Sequence, residues 1–404
     1  MCSFGARQPE PFSRGPTCRW TTVADTTDTD LPARATTGDR PERDWIVGAV
    51  GLLVAVAAFL FSLLGSYGGD VTGVLTIGDE WTGIHQHAEE ELGQDIHTRE
   101  GLGHDGAFFF LQALDPLYLE PDEHAAEIFR PIYRAQRMAY PMIAGAGGLT
   151  PAPWLPWTMV LTNILAFGLG TAGTARLARL MGGSRWWGLA FALNVGVLFE
   201  LDISGAGVLA FAAAIWGTVA LEEDRPRRAI PWFVLAVLAR EVMFLSLAGV
   251  LFLRWWRTKK LPFALGFWPA LAAVLWAVYI RVRLEPGDGV QEFGIPLKGL
   301  LGAVPSWMER PVDLVIVVAL IVVMGGLVVR SVRSPSYIGW GAIGFVLLAV
   351  LLSRQVWWRF FDITRATAPV ITAYILVAFA AGSRSAETER TDDTPESTAE
   401  PVQG

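Results

Sequence analysis

The residues best suited to chemistry lie in two short motifs of one polar stretch. The first motif runs Gly-His-Asp-Gly-Ala-Phe-Phe-Phe from Gly103, and its acid is Asp105. A polar turn leading into an apolar run predicts a short helix that begins at the aspartate. If that helix lies in the membrane interface, Asp105 is held near the lipid headgroups, where a carboxylate can deprotonate a hydroxyl. The alternative is an ordinary helix cap, a common role for aspartate.

The second motif lies downstream in the same stretch and is rich in arginine. It runs Arg-Pro-Ile-Tyr-Arg-Ala-Gln-Arg from Arg130 and includes Tyr133, Arg134 and Arg137. Helical spacing would bring the three guanidinium groups onto one face. Such a face suits a phosphate or pyrophosphate, which arginine binds through paired hydrogen bonds. Anchoring to anionic lipid headgroups explains the cluster equally well.

Two further groups in this stretch carry candidate ligands or acids. Asp79 and Glu80 could supply a second catalytic or metal-binding carboxylate, or belong to a solvated loop. His85, His87 and His97 are candidate ligands of a divalent metal, but their spacing matches no strong zinc pattern. The sequence therefore leaves metal binding open.

The elements that must position these motifs are apolar and long. Of the 404 residues, 52% are hydrophobic and 18% are charged, whereas soluble domains carry about 25% charged residues. The longest apolar segments reach the length of about 20 residues that a helix needs to cross a bilayer. A net charge of -7 without a dominant basic stripe argues against a nucleic-acid partner. These features predict an all-α polytopic membrane protein.

Apolar segments fill a predicted membrane domain, 44–382, between two polar tails, 1–43 and 383–404. The segments are Trp45–Gly65, Trp154–Leu180, Trp186–Phe199, Ala206–Leu221, Ile230–Leu253, Leu261–Ile280, Val312–Val329, Ile338–Leu352 and Ala366–Ala381. The tails have no periodic pattern of apolar residues and are expected to be disordered. The polar loop 66–153, which follows the first segment, carries both motifs.

The arrangement of these segments in the membrane follows from their basic loops, because lysine and arginine in short loops mark the cytoplasmic side. Basic residues follow four of the segments. All these basic residues lie on the same side of the membrane if Ile230–Leu253 forms two short helices that meet near its central Arg-Glu pair. That arrangement predicts about ten crossings of the inner (plasma) membrane, with both tails cytoplasmic and the loop 66–153 outside. The alternative is one continuous helix with a buried Arg-Glu pair and about nine crossings.

Two more sets of charged residues fall at or near membrane depth. Arg240 and Glu241 form an ion pair that is either functional or a structural salt bridge at a hairpin tip. Arg354, Arg359 and Arg365 flank aromatic residues typical of an interfacial belt. These three arginines lie on the predicted outer side, where an anionic ligand would explain them.

The chain resembles the GT-C superfamily of membrane glycosyltransferases, particularly its polyprenyl-phosphate-sugar-dependent and mannosyltransferase-like members. Asp105–Phe109 is similar to an Asp-Gly-x-Phe/Tyr-Tyr motif in their large first extracytoplasmic loop. Tyr133–Pro141 is similar to a later Tyr-Arg-x-x-Arg-x-x-Tyr-Pro segment. Short paired helices like those around Arg240-Glu241, and an Arg-x-x-x-Pro stretch like Arg365–Pro369, also recur there. The catalytic acid of the family often lies closer to the first helix, a distance that Asp79 or Glu80 fits better.

This resemblance implies transfer of a sugar from a polyprenyl-phosphate donor to an extracytoplasmic lipid, glycan or protein acceptor. Asp105 would be the base, with Asp79 or Glu80 as alternatives. The residues expected to bind the substrate or its phosphate are His104, Tyr133, Arg134, Arg137, Arg240, Glu241 and Arg365. The resemblance leaves open whether a divalent metal is a cofactor.

Two other functions compete with this one. A transporter or flippase of a lipid-linked sugar would share the membrane helices and an anionic-lipid site, but it usually has polar groups at the bilayer midplane. A non-catalytic membrane scaffold would tolerate replacement of Asp105 and the arginines. The enzyme requires the acid and the arginines to converge on one lipid-facing cavity.

Overall fold

A computed structural model of the chain describes residues 43–285 and 295–380. Within these two ranges the regular structure is helical and contains no strand, which confirms the all-α prediction. The two predicted tails, apart from Arg43, lie outside the described residues.

The helices follow one another with short connections. The first ten are α1 (Asp44–Gly65), α2 (Thr82–Leu92), α3 (Asp105–Leu114), α4 (Pro121–His124), α5 (Pro131–Ala135), α6 (Ala139–Ala144), α7 (Leu155–Leu180), α8 (Leu189–Ala192), α9 (Val195–Asp202) and α10 (Gly207–Glu222). The others are α11 (Pro226–Ala239), α12 (Met243–Thr258), α13 (Phe263–Arg283), α14 (Lys298–Met308), α15 (Pro311–Arg333), α16 (Tyr337–Leu351), α17 (Arg354–Trp358), α18 (Phe360–Ala366) and α19 (Ala368–Ile375). Short 3₁₀ turns cover Val71–Leu75, Ala152–Trp154 and Arg185–Gly188, and a π-helical turn covers Leu376–Ala380.

Four of these helices, α1, α7, α13 and α15, are long and apolar enough to cross a membrane. A fifth span is present if α18 and the helical stretch 368–380, which are bent by 67°, count as one. Most of α7 is buried by its neighbours, whereas α1, α13 and α15 leave most of their apolar residues on the surface. Large exposed apolar surfaces are rare on proteins in water, so this distribution fits outer helices that face lipid around a central α7.

Ion pairs between helix ends define one end of the molecule, which we term the basic end. The pairs are Arg179–Asp44, Arg176–Glu223 and Arg254–Asp224. They bring together the start of α1 and the ends of α7, α10 and α12. The loop 66–153 connects the other ends of α1 and α7, and it therefore lies opposite the basic end.

The segment Ile230–Leu253 is broken, as the sequence predicted. The helix α11 ends at Ala239 and α12 begins at Met243, with Arg240 and Glu241 in the break. The start of α11 and the end of α12 both lie at the basic end, because Asp224, which precedes α11, contacts Arg254 of α12 at 3.6 Å. The Arg-Glu turn consequently lies near the opposite end, on the side of the loop 66–153. The number of membrane crossings stays a prediction.

The predicted segment Trp186–Phe199 is wrong as a single helix. It divides into a 3₁₀ turn, α8 and α9, with a break at Leu193 and Asn194. The side chain of Asn194 accepts a hydrogen bond from the backbone N–H of Gly196 at 3.0 Å, and its amide donates to the carbonyl of Ala368 at 2.8 Å. Asn194 thus caps α9 and ties it to α19, an interaction that a hydropathy profile does not register.

Two predicted outer loops contain helices of their own. The loop Val282–Pro311 contains α14, although its residues 286–294 lie outside the described residues. The segment Ser353–Arg365 forms α17 and most of α18. These short helices pack against one another and against α16, and α18 also packs on α9. In this position Arg365 of α18 donates a hydrogen bond to Glu200 of α9.

Candidate functional site

The Asp-Gly pair of the first motif allows a close approach of three chain segments. Asp105 is the first residue of α3, and Gly106 follows it. A Cβ atom at Gly106 would lie 2.8 Å from the carbonyl oxygen of Leu75 and 2.9 Å from that of Ile203. Only glycine fits such a contact without a shift of the backbone. The start of α3 is therefore held against both the loop after α1 and the end of α9.

Two residues on one face of α3 contact the side chain of Arg134. Its guanidinium donates to the Oδ1 atom of Asp105 at 2.7 Å and lies 3.4 Å from the ring centroid of Phe108, one helical turn along. The ring of Trp81 packs edge-on against Phe108 at 5.0 Å. Charge, hydrogen bonding and cation–π attraction thus act together on one guanidinium.

Asp105 is contacted by three arginines from two distant parts of the chain. Besides Arg134, Nη1 of Arg137 lies 3.5 Å and Nη2 of Arg365 lies 3.4 Å from its Oδ2 atom. Burial disfavours the charged carboxylate, but the three guanidinium groups outweigh it and hold the pKa of Asp105 well below its usual range. The carboxylate acts here as an ion-pair partner of arginines rather than as a helix cap.

The Arg-Glu turn completes the same cluster. Glu241 accepts two hydrogen bonds from Arg137, at 3.2 Å to Nε and 3.2 Å to Nη2. The hydroxyl of Tyr133 accepts a third from Arg137 at 2.5 Å. Arg240, the other half of the turn, donates to Glu200 at 2.8 Å. Arg240 and Glu241 therefore form ion pairs with different residues rather than with each other.

Glu200 is a member of the site that sequence reasoning missed. It lies on α9, 3% exposed, and accepts hydrogen bonds from Arg240, from Nε of Arg365 at 3.1 Å and from the backbone N–H of Gly207 at 3.0 Å. The sequence feature that could have revealed Glu200 is its position, because it is a lone carboxylate one residue beyond the predicted segment Trp186–Phe199. A carboxylate at the edge of an apolar segment usually has a partner, and here it has two.

The cluster has as many carboxylates as arginines. Asp362, also missed by sequence reasoning, lies 3.5 Å from Nη1 of Arg365. The four arginines are Arg134, Arg137, Arg240 and Arg365, and the four carboxylates are Asp105, Glu200, Glu241 and Asp362. An incoming anion would compete with these carboxylates for guanidinium N–H groups.

All members of the cluster except Glu200 line a cavity of about 750 Å³. Most of its remaining lining is apolar and comes from the start of α12, the end of α16 and the residues from there to the end of α18. The apolar lining residues are Val242, Phe244, Leu245, Leu347, Leu348, Leu351, Leu352, Val356 and Ala366. A cavity with a guanidinium-rich wall and an aliphatic wall suits a ligand that joins an anionic group to a hydrocarbon chain.

A second cavity of about 460 Å³ lies between α1 and α9. Its walls are mostly apolar, and its charged lining residue is Asp202. The carboxylate of Asp202 accepts hydrogen bonds from Ser62 at 2.6 Å, from Tyr67 at 3.1 Å and from Arg99 at 3.2 Å. None of these residues was a candidate from the sequence.

In comparisons with protein-family models, with curated proteins and with solved structures, nothing matches this chain. Function therefore has to be inferred from the chemistry of the site.

The two alternative acids lie away from the arginine cluster. Asp79 and Glu80 are exposed in the turn before α2, and the Oδ1 atom of Asp79 accepts a hydrogen bond from the backbone N–H of Gly101 at 2.8 Å. Neither lines the 750 Å³ cavity. This placement favours Asp105 as the acid of the site.

His104 lies immediately before α3, with its ring edge-on to Phe361 at 6.4 Å. Burial, followed by the nearby charges of Arg365 and Arg99, lowers the pKa of His104. The ring is therefore neutral at pH 7 and can donate or accept a hydrogen bond, but it does not add a positive charge for a phosphate.

The predicted face of three arginines is only partly correct. The helix α5 covers Pro131–Ala135, so Arg130 precedes it, with φ of 54°, and lies over the ring of Phe129 at 4.9 Å. Arg130 does not line the cavity, whereas Arg134 and Arg137 do. The additional arginines of the site come from distant segments.

The predicted trio of histidines does not converge. His85 pairs at 3.1 Å with a glutamate one turn later in α2, and the ring of His97 packs beside Tyr67 at 5.6 Å between centroids. His87 instead meets His124, with Nε2 and Nδ1 3.2 Å apart. The described structure therefore does not bring His85 and His97 together with His87 as ligands of one metal ion.

Proposed function

We propose that the protein is a membrane glycosyltransferase that moves a sugar from a polyprenyl-phosphate donor to an acceptor outside the cytoplasm. The main support is that Asp105, Arg134, Arg137, Arg240 and Arg365 line one cavity whose remaining lining is mostly apolar. These residues come from four separate parts of the chain, and the resemblance to GT-C enzymes anticipated each of them.

The donor would lie with its phosphate on the arginines and its isoprenoid chain along the apolar wall. Planar guanidinium groups bind phosphate oxygens in pairs, and Arg134 is already oriented by the ring of Phe108. As the bond between the sugar and the phosphate breaks, the same groups would stabilise the charge that develops on the phosphate.

Asp105 would act as the base after the donor is bound. In the resting site three arginines keep its pKa low, which makes the carboxylate a weak proton acceptor. A phosphate that takes up some of these guanidinium groups both removes stabilising contacts and adds negative charge nearby, so the pKa of Asp105 rises toward a useful range. Donor binding would thereby prepare the base for the acceptor.

The proposed reaction is a single displacement. An acceptor hydroxyl oxygen forms a bond to the anomeric carbon, and the bond from that carbon to the phosphate oxygen breaks. The electron pair leaves with the polyprenyl phosphate, and the hydroxyl proton passes to the carboxylate of Asp105. No redox partner is needed.

The second cavity is a candidate site for a lipid-borne acceptor. It is mostly apolar and has one charged lining residue, Asp202. The charges of Arg365 in the first cluster and of Arg99 beside Asp202 both lower the pKa of His104. This supports a position for its ring between the two sites.

The proposal includes an orientation in the membrane. The basic end would face the cytoplasm, as lysine and arginine in short loops usually do, and the arginine cluster would lie at the outer headgroup layer. The arrangement of about ten crossings in the inner membrane, with both tails cytoplasmic, belongs to the same proposal.

The proposed activity is tested by analysing lipid-linked sugars and envelope glycans in a strain that lacks the gene. We expect one polyprenyl-phosphate sugar to accumulate and one glycan to lose that sugar. Wild type and Asp95→Asn, an exposed loop control, should restore the glycan, whereas a folded Asp105→Asn variant should not. Restoration by Asp105→Asn, together with failure of either Asp79→Asn or Glu80→Gln, would transfer the base role to the residue whose variant fails. Restoration by all three variants would overturn the proposal.

A further inference from the structure

Three potential metal ligands converge on the outer loop, away from the arginine cluster. His87 and Glu91 lie one turn apart on α2, and His124 is the last residue of α4. One ligand atom from each of the three residues lies within 4.8 Å of the others. All three side chains are partly exposed, so that an ion and a water molecule could reach them.

The geometry of the two histidines fits a metal ion between them. Nε2 of His87 and Nδ1 of His124 are 3.2 Å apart. Tetrahedral zinc with bonds of about 2.0–2.1 Å holds two imidazole nitrogens about 3.3 Å apart. Two nitrogens and one carboxylate oxygen are also a common ligand set for zinc with an open fourth position.

The surroundings favour a cation and hold the second histidine in place. Glu120 and Glu123 have carboxylate oxygens within 4.8 Å of a ring nitrogen of His124. The chain before α4 is ordered by Asp115, whose carboxylate accepts hydrogen bonds from the backbone N–H groups of Leu119 at 2.9 Å and Glu120 at 2.7 Å. A negative local field and a fixed loop both assist metal binding.

We propose that His87, Glu91 and His124 bind one zinc ion, with water as the fourth ligand. The ion would join α2 to α4. Because α4 lies between α3, which carries Asp105, and α5, which carries Arg134, the zinc would stabilise the fold of the loop that presents both residues. This site does not depend on the proposed glycosyltransferase activity.

The test uses the full chain, purified in detergent without a polyhistidine tag, stripped with a chelator and titrated with Zn²⁺ against a chromogenic chelator. We expect one equivalent of zinc for wild type and for the control His85→Ala, whose ring pairs elsewhere on α2. His87→Ala and His124→Ala should bind at least tenfold more weakly. Zinc should also raise the unfolding temperature of wild type and His85→Ala only.

Two further measurements test the proposal even if the alanine variants fail to fold. Glu91→Gln keeps the size of the side chain and should weaken zinc binding while preserving a monodisperse protein. X-ray absorption of the zinc-loaded wild type should show nitrogen and oxygen ligands. Sulfur ligation, which would come from Cys2 or Cys18, would overturn the proposal. So would an absence of binding, or equal binding by wild type, His87→Ala and His124→Ala, because the two histidines would then only share a hydrogen bond.

Discussion

Arg365 and Asp105 are 260 positions apart in the sequence, yet Nη2 of the arginine lies 3.4 Å from Oδ2 of the aspartate. The same guanidinium reaches Glu200 through Nε at 3.1 Å. Arg365 therefore connects the loop 66–153, α9 and the last helices of the described chain in one network. Disturbing any member of that network should affect the others.

Removing the charge of Glu200 should destabilise the whole protein. Glu200→Gln leaves Arg240 and Arg365 facing a neutral group in a buried site, and breaking a buried pair in this way costs about 3–5 kcal/mol. The side chain of Glu200 is 4% exposed, so solvent screening is weak. The free energy of unfolding can be measured by denaturant titration in mixed micelles.

The matched control for Glu200→Gln is Asp224→Asn. Asp224 pairs with Arg254 at 3.6 Å, but its side chain is 83% exposed. Its backbone has φ of 54°, which asparagine tolerates well. Equal unfolding free energies for the two variants would show that the buried network does not stabilise the fold.

The contribution of His104 to stability should fall as the pH drops below about 6.5, the usual pKa of histidine. Its pKa is lowered in the folded protein, so below that pH the unfolded chain binds a proton that the folded chain does not. The stabilising contribution is complete at higher pH and is lost as the pH falls through the lower, folded pKa. The unfolding temperature of wild type should therefore fall relative to that of His104→Gln as the pH is lowered from 8 to 5 (about the range in which histidine titrates). A constant difference across this range would contradict the prediction.

Replacing Arg134 by lysine should weaken binding of the donor phosphate. Lysine keeps the charge but cannot both stack on Phe108 and form paired hydrogen bonds. We expect Arg134→Lys to bind a short-chain polyprenyl phosphate in micelles roughly tenfold more weakly, and Arg225→Lys, a control at the basic end with a 54% exposed side chain, to bind as wild type does. Binding of the matching polyprenol without phosphate should be the same in all three proteins. An affinity of Arg134→Lys for the phosphate equal to that of wild type would remove this residue from the donor site.

The predicted orientation can be tested by labelling single cysteines in intact cells. With Cys2 and Cys18 replaced by serine, a membrane-impermeant maleimide should label Asp95→Cys, in the outer loop, before permeabilisation. Lys259→Cys, which follows α12 at the basic end, should be labelled only afterwards, since basic loops remain in the cytoplasm. The reverse pattern would put the arginine cluster in the cytoplasm and exclude the proposed activity.

Local features of the sequence determined much of this protein. The lengths of the apolar segments predicted α1, α7, α13 and α15, because hydrophobic length is a property of contiguous residues. The basic residues in short loops predicted the break between α11 and α12 at the Arg-Glu pair of Ile230–Leu253, because such residues mark one side of the membrane. The Asp-Gly and Arg-x-x-Arg motifs pointed to Asp105, Arg134 and Arg137, which indeed share one cavity.

Only the tertiary structure decided which charges meet. Glu200 and Asp362 had no recognisable motif, and the pairing of His87 with His124 joins two helices that sequence spacing does not relate. The physical reason is that a buried charge requires an opposite charge in space, at any separation along the chain. A sequence pattern can show that such a partner is required, but the packing of distant helices determines which residue provides it.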